Sequence, residues 1–234
     1  MRLPERLLVL LLLVVSHAAV ADPIDLKPFR ATYIAQWKGM NAANSTVELK
    51  HLDRDMYTYS SVNTARGMFR MAFPDALSQT STFKIIDGRV VPQLFDGKDE
   101  KERPINLTFD WQNKRITGVA KERAIDLALP EGTQDAMSLQ IASLRDLAAG
   151  KLKGTVWMID ATKLKEYELL LEGNARIETA LGELDTVIYS SKRANSDRMT
   201  RTWVAPALGY LPVKAESIRG KKVEVTLLIQ AVER

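Results

Sequence analysis

The chain has 234 residues, no cysteine, two histidines and a formal net charge of +4, with acidic and basic residues interspersed. The lack of cysteine excludes a disulfide-stapled scaffold and thiolate metal sites, and the mild, dispersed charge excludes the concentrated basic stripe of a nucleic-acid binder. What remains is a chain long enough to bury its own core as one domain.

Arg2 and Arg6 precede the apolar run Leu7–Val15, and Ala19 and Ala21 supply a small-residue cleavage pattern. This order predicts a signal peptide over residues 1–21, cut before Asp22, since the run is too short for the about 20 residues of a membrane span. The product would be one exported domain, residues 22–234, with a net charge of +3 once two arginines and one glutamate are removed. No further apolar run is long enough to span a bilayer, so an integral membrane protein is not expected.

From Phe29 the chain reads as strands. Phe29, Ala31, Tyr33, Ala35 and Trp37 alternate onto one face, and turns at Lys38–Asn41 and Asp53–Asp55 separate this strand from 45–52 and 56–64. Residues 65–76 break the rhythm: Met68, Phe69, Met71 and Phe73 crowd around Gly67 and end at Pro74. They read as a buried corner, or alternatively as an apolar lid, with core packing preferred because such residues are usually buried. Asp87-Gly88 is a strong hairpin signal between strands 77–86 and 89–95, and 96–103 is expected as a charged loop. Ile105, Leu107, Phe109 and Trp111 form a further alternating face, followed by strands 115–121 and 123–129.

Residues 132–149 carry the one helical pattern. Thr133 is the expected N-cap, Asp135 favours the positive helix start, and Gly150 marks the end. Met137, Ile141, Leu144 and Ala148 form one apolar stripe, while Leu139, Ala142 and Leu147 extend the apolar surface around the helix, which therefore needs cover from several directions. Strands resume over 155–160, 166–171, 175–179, 185–192, 198–204, 211–219 and 223–232. The expected fold is mainly β: an antiparallel meander forming a curved sheet, barrel or half-barrel around one central helix.

Catalytic patterns are sparse. His51 is the lone histidine after residue 21, at a strand end beside Asp53 and Arg54, and reads as a surface histidine rather than a triad base. Asp87, Asp96, Asp99, Glu100, Asp110 and Asp135 read as turn formers, solvating charges or helix-start residues rather than a glycosidase pair. Neither a phosphate loop nor a metal-ligand cluster is present, so no catalytic residue, metal or cofactor is assigned. Binding is the remaining class. Trp111, Met137, Ile141, Trp203 and Tyr210 are the candidates for an apolar ligand, and Arg193, Arg198 and Arg201 for an acidic partner face.

Three stretches together carry a family likeness. They are Gly132-Thr133-Gln134-Asp135-Ala136-Met137-Ser138 running on to Leu144-Arg145, then Thr179 to Thr186 through Gly182-Glu183, then Trp203-Val204-Ala205-Pro206 with Tyr210-Leu211-Pro212-Val213. In that order they resemble exported bacterial proteins of domain-of-unknown-function family 3108. The resemblance implies the periplasm of Gram-negative bacteria and brings no catalytic residues. The expected function is a non-enzymatic binding protein that assists an envelope machine, in secretion or outer-membrane assembly, through protein contacts. The alternative is a carrier of an apolar ligand such as a lipid acyl chain, and a carboxylate-dependent hydrolase stands behind both.

Overall fold

The structure, a computed structural model, describes residues 26–98, 103–152 and 154–234. The expected signal peptide, Asp99 and Glu100 lie outside the described residues. The first half contains β1 (Phe29–Trp37), β2 (Met40–Asp53), β3 (Met56–Ala65), β4 (Leu77–Ile86), β5 (Arg89–Lys98), β6 (Pro104–Asp110), β7 (Arg115–Ala120) and β8 (Arg123–Ala128). Helix α1 (Ser138–Ala148) follows. Then come β9 (Thr155–Asp160), β10 (Lys163–Thr179), β11 (Gly182–Arg193), β12 (Arg198–Ala205), β13 (Leu211–Arg219) and β14 (Lys222–Glu233).

All fourteen strands belong to one antiparallel sheet in the order β8-β7-β6-β5-β4-β3-β2-β1-β14-β13-β12-β11-β10-β9. Every neighbour pair is consecutive in the chain except β1 and β14, which meet in the middle. The two edges, β8 and β9, are therefore joined directly by the connection that carries the helix. That connection must cross the concave side, which is why the helix lies inside the curve of the sheet. The sheet does not close. Gln134 bridges part of the gap: its N–H donates to Trp157 O (2.8 Å), and Ile159 N–H donates to Gln134 O (2.9 Å). The result is an open, barrel-like half-shell around one helix.

The helix is shorter than the 132–149 expected, because Gln134 is engaged by β9. Its cap also differs. Thr133 Oγ1 donates to Pro130 O (2.7 Å), while Asp135 Oδ1 accepts from the N–H groups of Met137 and Ser138 (both 2.8 Å). Ser138 Oγ accepts in return from Asp135 N–H (2.9 Å), a reciprocal capping box. At the other end Gly150 turns left-handed (φ 65°), Gly150 N–H reaches Leu147 O, and Lys151 N–H reaches Asp146 O, a Schellman ending.

Met137, Ile141, Leu144 and Leu147 sink into the main core against Tyr33, Leu49, Phe83 and Phe109 of the sheet. Leu139 packs on another side with Val156 of β9 and Leu169 of β10. Cover from more than one direction is what the helix's apolar circumference required.

Three further readings change. Residues 166–171 and 175–179 are one 17-residue strand, β10, whose register slips between Leu171 and Gly173. A local bulge at a glycine (φ 132°) imitates a turn in the sequence. Asp96–Lys98 extend β5 rather than opening a loop. Residues 67–71 form a 3-10 turn with no buried residue, so Met68, Met71 and Phe73 are not core packing. The turn stands at the end of the shell, where the strands run out and no second layer covers it.

Candidate functional site

The concave face is built in rungs set by the strand register. One rung across β1, β2, β3 and β4 is Phe29, Leu49, Tyr59 and Ser81, and these stand beneath the helix. Moving along β1 away from the helix, Ala31 faces Val47 and Ser61, then Tyr33 faces Ser45 and Asn63. The next rung is Ala35, Ala43 and Ala65, three alanines side by side on three strands. Side chains on one face lie at alternate positions, so this row continues the floor of the shell beyond the helix. Its methyl groups leave the floor low where larger residues would have filled it.

That depression is a cavity of about 510 Å³. Leu77 and Val225 extend the floor, and Trp37, Phe69 and Phe73 wall it. Trp37 and Phe69 meet edge to face, centroids 6.0 Å apart. Gln36, Asn63 and Asp75 are the polar residues of the lining. Both amides are occupied as donors, Gln36 Nε2 to Asn41 Oδ1 (3.0 Å) and Asn63 Nδ2 to Ser61 Oγ (3.1 Å). The 3-10 turn is held to β2 by Arg66 N–H donating to Ala42 O (2.8 Å), and Gly67, at φ 52°, swings the chain across the mouth. Phe73 N–H closes onto Phe69 O (2.9 Å). The cavity lies in the size range of small-molecule sites, and its lining suits a hydrocarbon.

Nearer the helix, polar contacts tie α1 to the sheet. Ser81 Oγ donates to Asp135 Oδ2 (2.6 Å), and Tyr59 O–H donates to Gln140 Oε1 (3.4 Å). Tyr189 is hydrogen-bonded to Thr202 and Ser143, and Tyr33 O–H donates to Pro212 O (2.8 Å). Burial pushes the Asp135 carboxyl above the usual carboxylate range, against the opposing effect of its hydrogen bonds from Ser81, Ser138 and Met137. Burial also raises the phenols of Tyr33, Tyr59 and Tyr189, so all three are uncharged at neutral pH.

A second cleft of about 590 Å³ lies between α1, residues 131–134, the β4–β5 hairpin and the β9 edge. Trp111 lines it, with its Nε1–H donating to Pro92 O (2.6 Å), and the Arg89–Glu131 ion pair (2.9 Å) stands at its rim. Gln134 also lines it. Its Nε2 donates to Val90 O (3.0 Å), and its buried Oε1 accepts no hydrogen bond.

The five predicted apolar-ligand residues do not share one cavity. Trp111 lines this cleft. Met137 is inside the core, and Ile141 is core that also borders a smaller cavity of about 210 Å³ near Leu208. Trp203 is buried in β12 with Lys214 Nζ 4.3 Å above its ring, and Tyr210 (φ 60°) packs half-buried in the β12–β13 connection. Among the predicted partner residues, Arg201 Nε donates to Glu172 Oε2 (2.5 Å). Arg193 and Arg198 line a shallow polar depression together with Asp160 and Asp197.

The carboxylates considered as acids have local roles: Asp87 occupies a hairpin turn (φ 49°), Asp96 accepts from Asn106, and Asp110 accepts from Asn113. His51 is exposed, its Nε2 2.7 Å from Arg54 O and its ring stacked on Tyr57. Among the described residues no group of three or more His, Cys, Asp or Glu is placed to hold a metal, and no helix is long and apolar enough to cross a membrane. The alanine row was the feature that sequence reading missed. Ala35 stood on a strand face, but its alignment with Ala43 and Ala65 depends on the register of three strands.

Comparison with known proteins bears mainly on the fold. A β-barrel-like protein of family DUF1849 from Brucella abortus superposes with a TM-score of 0.61 at 12% identity, over 90% of this chain and 98% of that one. A protein with a YmcC-like fold from Bacteroides fragilis gives 0.43 at 9% identity, over 88% and 95%. The Pseudomonas aeruginosa MucA/MucB complex gives 0.39 at 11% identity, over 88% of this chain and 51% of that chain, so this chain spans about half its length. A search of curated proteins finds no match. The family described as "Protein of unknown function (DUF3108)" matches residues 32–225, which is most of the sequence. The chain belongs to the DUF3108 family.

Proposed function

We propose that this protein is a non-enzymatic, exported binding protein that holds an apolar group, such as an acyl chain, in the alanine-floored cavity at the open end of the half-shell. The observation that carries this reading is the rung Ala35, Ala43 and Ala65 beneath Trp37, Phe69 and Phe73. The apolar walls stand open to solvent, and an apolar occupant would take that surface out of water. The polar lining residues are too few to recognise a charged substrate within it. The basic hairpin carries the protein-partner reading less far, because Arg201 is paired and Asp160 and Asp197 accompany Arg193 and Arg198.

The test is a titration of the exported domain with straight-chain fatty acids of increasing length, followed by calorimetry. Affinity should rise by at most about fourfold per methylene and then level off when the cavity is full. Ala43→Phe, which fills the floor, should abolish binding while the melting temperature stays within a few degrees of wild type. No binding by the wild-type domain, or unchanged binding by Ala43→Phe, would refute the assignment.

A further inference from the structure

We infer that the end of the half-shell bearing the 3-10 turn docks onto an anionic lipid surface, so that the mouth of the apolar cavity opens against the bilayer. This rests on the ligand reading above; the surface shares Trp37 and Phe73 with the cavity wall and adds Met40, Met68 and Met71, which lie outside the cavity lining. Met71 is 90% exposed, Met68 75%, Phe73 49% and Trp37 40%. Met40, paired with Trp37 across the β1–β2 hairpin, is exposed as well. Large apolar side chains clustered at one end of a folded domain mark an interaction site, whereas scattered ones need no explanation. Met68 and Met71 belong to no core, since no buried residue lies in the turn.

The meander explains why these residues assemble. In an antiparallel sheet of consecutive strands, alternate connections fall at the same end. The β1–β2 turn, residues 66–76 and the β13–β14 turn therefore lie together. Trp37 pairs with Val225 and Met40, and Lys38 N–H donates to Glu224 O (3.1 Å). These three connections also bring basic side chains around the apolar cluster: Lys38, Arg66, Arg70, Lys221 and Lys222, all exposed. Among the described residues the acidic members of the patch are Asp75 and Glu224, and Glu224 lies 3.6 Å from Arg219. Lys38 Nζ sits 4.5 Å over the Trp37 ring, a cation above an aromatic at the height where headgroups meet acyl chains.

An apolar tip inside a basic collar has the chemistry of an interfacial anchor. Methionine and aromatic side chains enter the acyl boundary while lysines and arginines reach lipid phosphates, and long cationic side chains can do so without burying their charge. The tip is built of exposed, flexible side chains, which suit a fluid bilayer boundary better than the fixed surface of a protein partner. The charge complementarity selects a bilayer carrying anionic headgroups. Docked there, the cavity mouth faces the medium from which an acyl chain would enter or leave.

The experiment is co-sedimentation of the exported domain with vesicles of phosphatidylcholine alone or with 30% phosphatidylglycerol. Anionic vesicles should bind the protein, and raising the salt should weaken binding. Met68→Ser/Met71→Ser should lower vesicle affinity about tenfold or more. Arg66→Glu/Arg70→Glu should lower it at least about twentyfold, at about fivefold for each charge removed. Neither pair lines the cavity, so binding of a short soluble fatty acid should be unchanged in both variants. Ala43→Phe should lose the fatty acid and keep the vesicles, which separates failure of the docking surface from failure of the cavity. The inference is overturned if wild-type protein ignores anionic vesicles, or if the substitutions leave vesicle binding unchanged. It is also overturned if Met68→Ser/Met71→Ser instead dissolves a dimer seen by analytical ultracentrifugation in protein that binds no vesicle.

Discussion

At the scale of single residues, Asp135 shows how one side chain joins local and tertiary structure. Its carboxylate caps the helix through two backbone N–H groups and receives the Ser81 hydroxyl from β4, so it fixes both where α1 starts and where it sits in the shell. The same burial raises its pKa. In the window between the ordinary carboxylate value and the raised folded one, the unfolded chain has lost its proton and the folded protein keeps it. Stability then falls as pH rises, by at most about 1.4 kcal/mol per unit from this group alone. Asp135→Asn keeps the two capping acceptor contacts and offers an N–H to Ser81, which can accept. Denaturant unfolding across the acid range should therefore show a flatter pH profile for Asp135→Asn than for wild type in that window, with equal slopes contradicting the assignment. The sequence pointed to this aspartate through dipole preference, yet named Thr133 as the cap. Both residue types cap helices well, and only the pairing of Gln134 with β9 fixes the starting point.

The elements were the most legible scale. Periodicity of two, short polar turns and Asp87-Gly88 located most strands, because those signals act within a few residues. The features that were hidden depend on neighbours distant in sequence. Gly173 looked like a break and is a bulge inside β10, and the exposed Met and Phe of residues 67–73 looked like core because composition carries no information on which end of a shell they occupy. Gly118 belongs to the same class. It lies in β7 at φ 144°, opposite Leu107 and Ile125, and a Cβ there would stand 2.0 Å from Asn106 O. Gly118→Ala must displace backbone rather than a side chain, at roughly 3 kcal/mol or more. Thermal unfolding should show a large drop in melting temperature for this variant, and a change of only a degree or two would mean that β6 and β7 separate easily.

For the molecule as a whole, connectivity decides what the fold can do. Because β1 and β14 pair in the middle, the free edges fall at β8 and β9, and the chain between them must run through the concave side. The helix fills one end of the shell and leaves the other floored by alanine, under an apolar turn with basic neighbours. The half-shell with a central helix was readable from the order of patterns along the chain. The position of the cavity was not, since Ala35, Ala43 and Ala65 become neighbours only through register. Trp111, Trp203 and Tyr210 were chosen as large aromatics and Met137 and Ile141 for the helix's apolar stripe, and such residues more often mark core than cavity; small residues in a row mark the space.

The most direct measurement is native mass spectrometry of residues 22–234, purified without detergent, beside Ala43→Phe. The account predicts a wild-type species carrying an added mass that extracts into organic solvent, and a bare mass for Ala43→Phe. A bare mass for the wild-type domain after incubation with lipid extract, or the same adduct on both proteins, would contradict it.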